Sequence, residues 1–390
     1  MRNSVLAAVA CLALAACSSP VSTAPVATST SAPALVTLAP PKIPLRGLID
    51  MQDISWHNTD NAQPTFDISN AQMFPGILGG IVINATWSQM QPAAGGAVNF
   101  SVTDAALAQV TAYNGSASAP LGVKLRIYGG SNAPQWAKSL GGGPITIYRN
   151  PAGCNGQTDT CPLTVGPFWT TQYISDWRTF QAAVAAKYDA NPLIVAVAVT
   201  SCAAQTDEPF VSSSGPVSKA NLGAAGYSDM MEQNCLTNAT ADYKAWVSTD
   251  IDFTFNSYSL FTGGLDPSFT QSVMTICRNQ AGSRCVLDNH ALETPLTSDP
   301  QVYQNIAAMG GLINFQTQSP EGMGCIWPET ITQGLILGAR AIEIWPEAKF
   351  QGFDTFTVSQ MQQLSNLFYQ PVPSPTPVPN PLPDPCTGFN

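Results

Sequence analysis

The chain carries little charge. Only 10% of its 390 residues are Asp, Glu, Lys or Arg, and the balance is acidic, with a formal net charge of −10. A surface without a basic excess has nothing with which to neutralise a phosphate backbone, which argues against a nucleic-acid partner. Histidine is scarcer still. His57 and His290 are the only two, which argues against a histidine-rich metal site. No GxSxG nucleophile elbow, Walker loop or HExxH helix occurs, and no motif requires a metal or an organic cofactor. Past the N-terminal segment, no run reaches the ~20 uninterrupted apolar residues that span a bilayer. What the chain does have is 45% hydrophobic residues, 30 Gly and 32 Pro, the composition of a large core with long ordered loops of neutral polar surface.

The ends differ from the middle. Arg2 precedes an apolar segment, Val5–Ala16, which runs into Leu14-Ala15-Ala16-Cys17. Residues 1–17 resemble a bacterial lipoprotein signal peptide with its lipobox. That resemblance implies cleavage before Cys17, lipid on its sulfur, and an exported protein anchored in the cell envelope or at the cell surface. An ordinary secretory signal is the alternative, which would leave the protein secreted. Residues 18–42, rich in Ser, Thr, Ala and Pro, read as a disordered tether. Residues 371–390 begin with PVPSPTPVPNPLPDP, a Pro-rich tail of extended character. Between them, 43–370 shows no comparable linker and reads as one domain, expected to be monomeric. Export places it in an oxidising compartment. Cys154 and Cys161 flank CNGQTDTC, and Cys277 and Cys285 flank CRNQAGSRC; each pair reads as a local disulfide. Cys202 with Cys235 and Cys325 with Cys386 are further pairings whose connectivity the sequence leaves open.

The body alternates strand-like and helix-like stretches, the pattern of a parallel α/β fold. Expected strands are Leu45–Met51, Gly79–Ala85, Gly122–Tyr128, the apolar start of Leu193–Phe210, Ile251–Phe255, Arg284–Leu287, Gly311–Phe315 and Ala339–Ile344. Expected helices include Val102–Tyr113, Tyr173–Tyr188, Thr240–Val247, Ser268–Arg278, Pro300–Met309 and Pro328–Leu337. Eight strands, each ending in polar or aromatic residues, predict a (β/α)8 TIM barrel. A doubly wound open sheet is the alternative, but no Gly-rich phosphate loop follows the first strand.

The fourth strand organises the rest. LIVAVAVTSCAAQTDEPF begins as a run of branched residues suited to burial on both faces, then breaks into a small polar loop ending in Asp207-Glu208-Pro209. A buried parallel strand that delivers a carboxylate at its C-terminal end is how a barrel of this kind builds an active site.

Taken in order, these segments resemble the TIM-barrel glycoside hydrolases of the clan that includes β-galactosidases and cellulases. Thr86-Trp87-Ser88-Gln89-Met90-Gln91-Pro92 followed by Asn99-Phe100-Ser101 is similar to that clan's second-strand region. Leu125-Arg126 and Ala133-Pro134-Gln135-Trp136 are similar to its third. Asp207-Glu208-Pro209 is similar to the Asn-Glu-Pro that carries the acid/base after strand four. Two positions depart from the pattern. The end of strand seven, where the clan has a nucleophilic Glu, reads Asn314-Phe315-Gln316-Thr317-Gln318, and Gln cannot act as an anionic nucleophile. The Asn before the acid/base is Asp207.

Glycoside hydrolysis needs two carboxyl groups flanking the bond, one to protonate the leaving oxygen and one to attack or to activate water. Glu208 is the candidate acid. The alternative is that it pairs with a base such as Arg126. Glu343, inside the apolar Ala341-Ile342-Glu343-Ile344-Trp345, is the candidate second carboxylate. Its alternative is a structural ion pair with Arg340 or Arg126. Strands four and eight face each other across a barrel, which favours the wider separation of inverting enzymes, ~6.5–9.5 Å. Asp50, Asp53, Asp288, Glu293 and Glu321 are further carboxylates at strand ends. Trp87, Trp136 and Trp345, with Trp56, are candidate stacking faces for sugar rings. Arg126, Asn256, Asn289, His290, Gln316 and Gln318 are candidate polar contacts. The expected function is therefore a glycosidase acting on a polysaccharide or envelope glycan. The alternatives are a noncatalytic glycan-binding lipoprotein on a degenerate barrel and a purely structural envelope protein.

Overall fold

The computed structural model describes residues 41–149, 161–210, 215–319, 326–345 and 357–371. Eight parallel strands close into a barrel, confirming the expected (β/α)8 fold. We label them β1 (Gly47–Asp50), β2 (Leu78–Thr86), β3 (Gly122–Tyr128), β4 (Ile194–Ala198), β5 (Asp250–Thr254), β6 (Cys285–Asp288), β7 (Leu312–Gln316) and β8 (Ala341–Ile344). Each pairs with its sequence neighbours, and β8 closes the ring against β1.

Strand periodicity explains where the core lies. Alternate side chains of a strand point to opposite faces. In β3, Val123, Leu125 and Ile127 join the large apolar layer between strands and helices, as do Ile251 and Phe253 of β5, Ile313 and Phe315 of β7, and Ile342 and Ile344 of β8. The opposite parity faces the barrel interior. There a small plug of Leu45, Ile49, Val82, Val195, Ala196 and Ala341 forms a separate apolar cluster. The inward positions nearer the C-terminal ends are polar: Lys124, Arg126, Asp252, Asp288, Asn314 and Glu343, all 2% exposed or less.

The surrounding helices are Ser101–Asn114, Thr171–Tyr188, Asp229–Ala239, Pro267–Ala281, Pro300–Met309, Trp327–Ile336 and Val358–Leu367. The last was not foreseen in the sequence; its Ser365 hydroxyl donates to the Ile77 carbonyl below β2 (3.2 Å). The helix expected over Thr240–Val247 is displaced. Ser228 caps a helix over Asp229–Ala239, with Asp229 and Glu232 in its first turn, and only a single 3-10 turn, Thr240–Tyr243, follows. The sequence reading also passed over two hairpins, Ile145–Tyr148 with Pro162–Val165 and Tyr258–Ser259 with Leu265–Asp266. No helix among the described residues is long and apolar enough to cross a membrane.

Two disulfides join Cys202 to Cys235 and Cys277 to Cys285. Cys161 is also disulfide-bonded. Cys17, Cys154, Cys325, Cys386 and Glu321 lie outside the described residues.

Candidate active site

The inward faces of β3, β5, β6 and β8 meet in one buried ionic cluster. Lys124 lies 2.9 Å from Asp252 Oδ1, 3.0 Å from Asp288 Oδ2 and 2.6 Å from Glu343 Oε1. Two residues further along β3, Arg126 contacts Glu343 Oε2 and lies 2.8 Å from Asp207 Oδ2. The spare oxygens are filled too: Asn314 donates to Asp252 Oδ2 (2.8 Å), and the Asn289 amide to Asp288 Oδ1 (2.8 Å). Charges so far from water persist only because each has a partner.

Glu208 stands apart from this cluster. Its side chain is 30% exposed, against 9% for Asp207 and none for Asp252 and Asp288. A chain of hydrogen bonds positions it. Asn289 Oδ1 accepts from the Tyr303 hydroxyl and from the Ala291 amide (2.9 Å). The Asn289 amide nitrogen therefore donates to Asn256 Oδ1 (3.1 Å), and Asn256 Nδ2 to Glu208 Oε2 (2.7 Å). With Oε2 occupied as an acceptor, an acid proton on Glu208 belongs to Oε1.

His290 couples the two levels. Its Nδ1 lies 3.6 Å from both Asp207 Oδ2 and Glu208 Oε1, and its Nε2 is 2.9 Å from Thr254 Oγ1 and 3.5 Å from Asp288 Oδ2. Burial disfavours the imidazolium, but Asp207 and Asp288 outweigh it and raise the ring to about 9. The cluster then holds three cations, Lys124, Arg126 and His290, facing five carboxyls. The surplus of carboxyls is met by two that hold protons more tightly. Burial pushes Asp252 up to about 7, and burial raises Glu208, with Asp207 adding to the rise against the lowering field of His290. Asp207 goes the other way: burial would raise it, but Arg126 and His290 hold it below the ordinary range. In Glu343, likewise, burial is overcome by Arg126 and Lys124.

Backbone geometry brings the Glu208 loop into place. Gly130 has φ +52°, and a Cβ there would stand 2.3 Å from the Ala204 carbonyl. A glycine is thus needed for the loop after β3 to pack on the loop after β4, where Ser131 N donates to Ala204 O (2.8 Å). Cys202 ties the same loop to the helix Asp229–Ala239 through Cys235. An open cleft of about 490 Å³ between Gly141–Pro144, Pro167, Asn221 and Ala225 is lined by none of the cluster's charged residues.

The structure sorts the expected site residues. It gathers Glu208, Asn256 and Asn289 into one hydrogen-bonded chain and sets His290 Nδ1 3.6 Å from Glu208 Oε1. Arg126 pairs with Asp207, not Glu208, and together with Lys124 it holds Glu343; Arg340 pairs instead with Asp250 (2.7 Å). Trp87 is corrected from sugar platform to core. It is fully buried, edge-on to Trp136 and to Tyr173 and Trp177 of the helix Thr171–Tyr188. Trp136 is half-buried against it, with Nε1 donating to Gln91 O (3.1 Å). Trp56, stacked edge-on with Tyr128, and Trp345 at the end of β8 keep partial exposure. Gln316 is buried and Gln318 half-buried. Asp53 and Glu293 cap their own loops through Ser55 and Thr297. The sequence reading missed Lys124, Asp252, Thr254 and Tyr303. The signal for Lys124 was present in GVKLRIY: two cations two residues apart lie on one face of a buried strand, and they require carboxylates opposite.

No protein-family model and no curated protein sequence matches the chain. Solved structures do match in fold. An endo-β-1,4-glucanase from Xanthomonas axonopodis pv. citri, carrying three substitutions, shares 10% identity at a TM-score of 0.50, over 83% of this chain and 99% of its own. Endo-glycoceramidase II from Rhodococcus sp. shares 16% identity at 0.48, over 84% and 81%. A GH5-4 broad-specificity endoglucanase from an uncultured bacterium shares 11% at 0.48, over 83% and 94%. These neighbours are glycoside hydrolases, and at such identities the likeness is one of fold.

Proposed function

We propose that this chain is a glycoside hydrolase in which Glu208 is the general acid/base. One observation carries the reading. Adjacent carboxyls, Asp207 and Glu208, meet the same imidazole, yet their surroundings push them in opposite directions, one towards the anion and one towards the acid. Pairs separated in this way mark acid and base assignments. Glu208 is also the partly exposed member, so it can reach a leaving oxygen. Glu343 then serves to hold Arg126, which in turn holds Asp207. Trp56, Trp136 and Trp345 are the stacking faces left for a sugar, and the carbohydrate substrate is a polysaccharide or envelope glycan. The signal segment makes the protein exported and lipid-anchored through Cys17, or secreted if unlipidated. Mass spectrometry of the mature N-terminus distinguishes the two.

The test is sugar release from a broad polysaccharide panel by wild type and Glu208→Gln. Release lost in the variant supports the assignment; release unchanged by it removes Glu208 from the chemistry. The second reading, a noncatalytic glycan-binding protein, is favoured by Gln316 and Gln318 at the end of β7. It requires binding without turnover, unaffected by Glu208→Gln.

A further inference from the structure

Accepting Glu208 as the acid leaves open what attacks the anomeric carbon. Four buried carboxyls of the barrel strands, three facing inward and Asp50 of β1 on the opposite parity, have both oxygens engaged by protein donors. Asp252 and Asp288 are held as described above, and Glu343 is held by Lys124 and Arg126. Asp50 accepts from the Gln52 amide (2.9 Å) and side chain (2.6 Å). All four are 2% exposed or less, so none can reach a sugar ring without leaving its partners. The end of β7 presents Gln316, a neutral amide. Asp207 is the carboxylate that shares the His290 contact with Glu208. Arg126 and His290 meet its Oδ2, Oδ1 takes part in none of these contacts, and its side chain keeps 9% exposure. Because each carboxylate lies 3.6 Å from one nitrogen of His290, the two oxygens are within twice that distance of each other, close enough to act on one sugar.

We propose that the substrate supplies the nucleophile: the site takes a 2-acetamido sugar, whose carbonyl oxygen attacks its own anomeric carbon while Asp207 orients the acetamido N–H and Glu208 protonates the leaving group. This rests on the glycosidase reading and adds the substrate class to it. In the first step the acetamido oxygen bonds to C1, the C1–O bond to the leaving sugar breaks, and the Glu208 proton goes to the departing oxygen. The cyclic intermediate carries positive charge on its N–H, which ionised Asp207 accepts as a hydrogen bond and offsets. In the second step water bonds to C1, gives its proton to the Glu208 carboxylate, and the ring opens back to the acetamido group. The anomeric configuration is retained, and no second free carboxylate is needed. Arg126 is a positioning residue, keeping Asp207 ionised and in place.

The experiment uses the full chain and matched aryl mono- to trisaccharides of both anomeric configurations. The ring next to the leaving group carries a 2-hydroxyl, a 2-acetamido, or a 2-trifluoroacetamido group. The proposal expects turnover of the acetamido series only, at least tenfold slower on trifluoroacetylation because fluorine withdraws electrons from the attacking oxygen. Asp207→Asn should lower kcat by 10²-fold or more on the acetamido series. The fluorination series reads the wild type and so stands even if that variant fails to fold. Turnover of 2-hydroxyl sugars, or indifference to fluorination, overturns the acetamido mechanism and leaves Glu208 as acid. No turnover of any member by wild type overturns both.

Discussion

Two sets of carboxyls share this barrel, and they are treated in opposite ways. Inside, Asp252, Asp288 and Glu343 surround Lys124 with every oxygen engaged and their side chains buried. At the mouth, Glu208 has one oxygen held by a neutral amide and the other facing a cation at a distance longer than a hydrogen bond. The inner set costs desolvation that its ion pairs must offset, so it serves the architecture. The outer residue is incompletely satisfied, and an incompletely satisfied carboxyl with access to solvent is the one that can exchange a proton with a substrate. His290 lies between them, 3.5 Å from Asp288 Oδ2 and 3.6 Å from Glu208 Oε1.

Substitutions should separate the two sets. Glu208→Gln is expected to cut turnover by about 10²–10⁴-fold, the usual worth of a positioned general acid, with a thermal midpoint close to wild type by calorimetry. Lys124→Met should do the reverse as its first effect, leaving three carboxyls without their shared cation and costing about 3–5 kcal/mol of stability in a urea titration. A Lys124→Met protein as stable as wild type would contradict the structural role. Breaking the tether of the Glu208 loop lies between these extremes. Removing the Cys202–Cys235 bond, whose ends are 33 residues apart, should cost about 3–4 kcal/mol and also raise KM, since the same loop carries the proposed acid. An unchanged KM would show that the loop holds its shape without the bond.

Smaller effects follow from His290. Its folded-state value, about 9, lies above the ordinary 6.5, so the stability it contributes is fully present below pH 6.5. That stability is lost as pH rises through about 9. Unfolding titrations across that window should show the decline, and His290→Gln should flatten it. Because the imidazolium lowers Glu208, the same variant should move the alkaline limb of the kcat profile to higher pH. A limb that stays in place would mean the ring does not face the acid in solution.

How much of this was legible beforehand follows from the physics of each part. The strands were readable because a barrel strand, covered by helices outside and filled inside, must be apolar or small along much of its length; Gly122–Tyr128 was found to the residue. Glu208, the proposed acid, stood out because it closes a loop directly after such a strand. The inner cluster was not, since pairing among Lys124, Asp252, Asp288 and Glu343 depends on the register of four strands up to 219 positions apart, Lys124 to Glu343, and no local pattern encodes that. Trp87 misled for a related reason. A tryptophan at the end of a strand turns towards the mouth or the helices according to its neighbours, and only the packed Trp136, Tyr173 and Trp177 decide it. The helix Val358–Leu367 was lost beside the Pro-rich tail, although Thr357 and Gln360 form a capping box at its start.

The central claim, that Glu208 delivers the proton, is tested most directly by varying the leaving group. An acid catalyst matters when the departing oxygen is basic and little when it is a good anion. Glu208→Gln should therefore be slowed by 10²-fold or more on glycosides with a sugar or alkyl leaving group, yet retain near wild-type rates of bond cleavage on 2,4-dinitrophenyl glycosides. Equal loss on both, or loss on neither, would contradict the account.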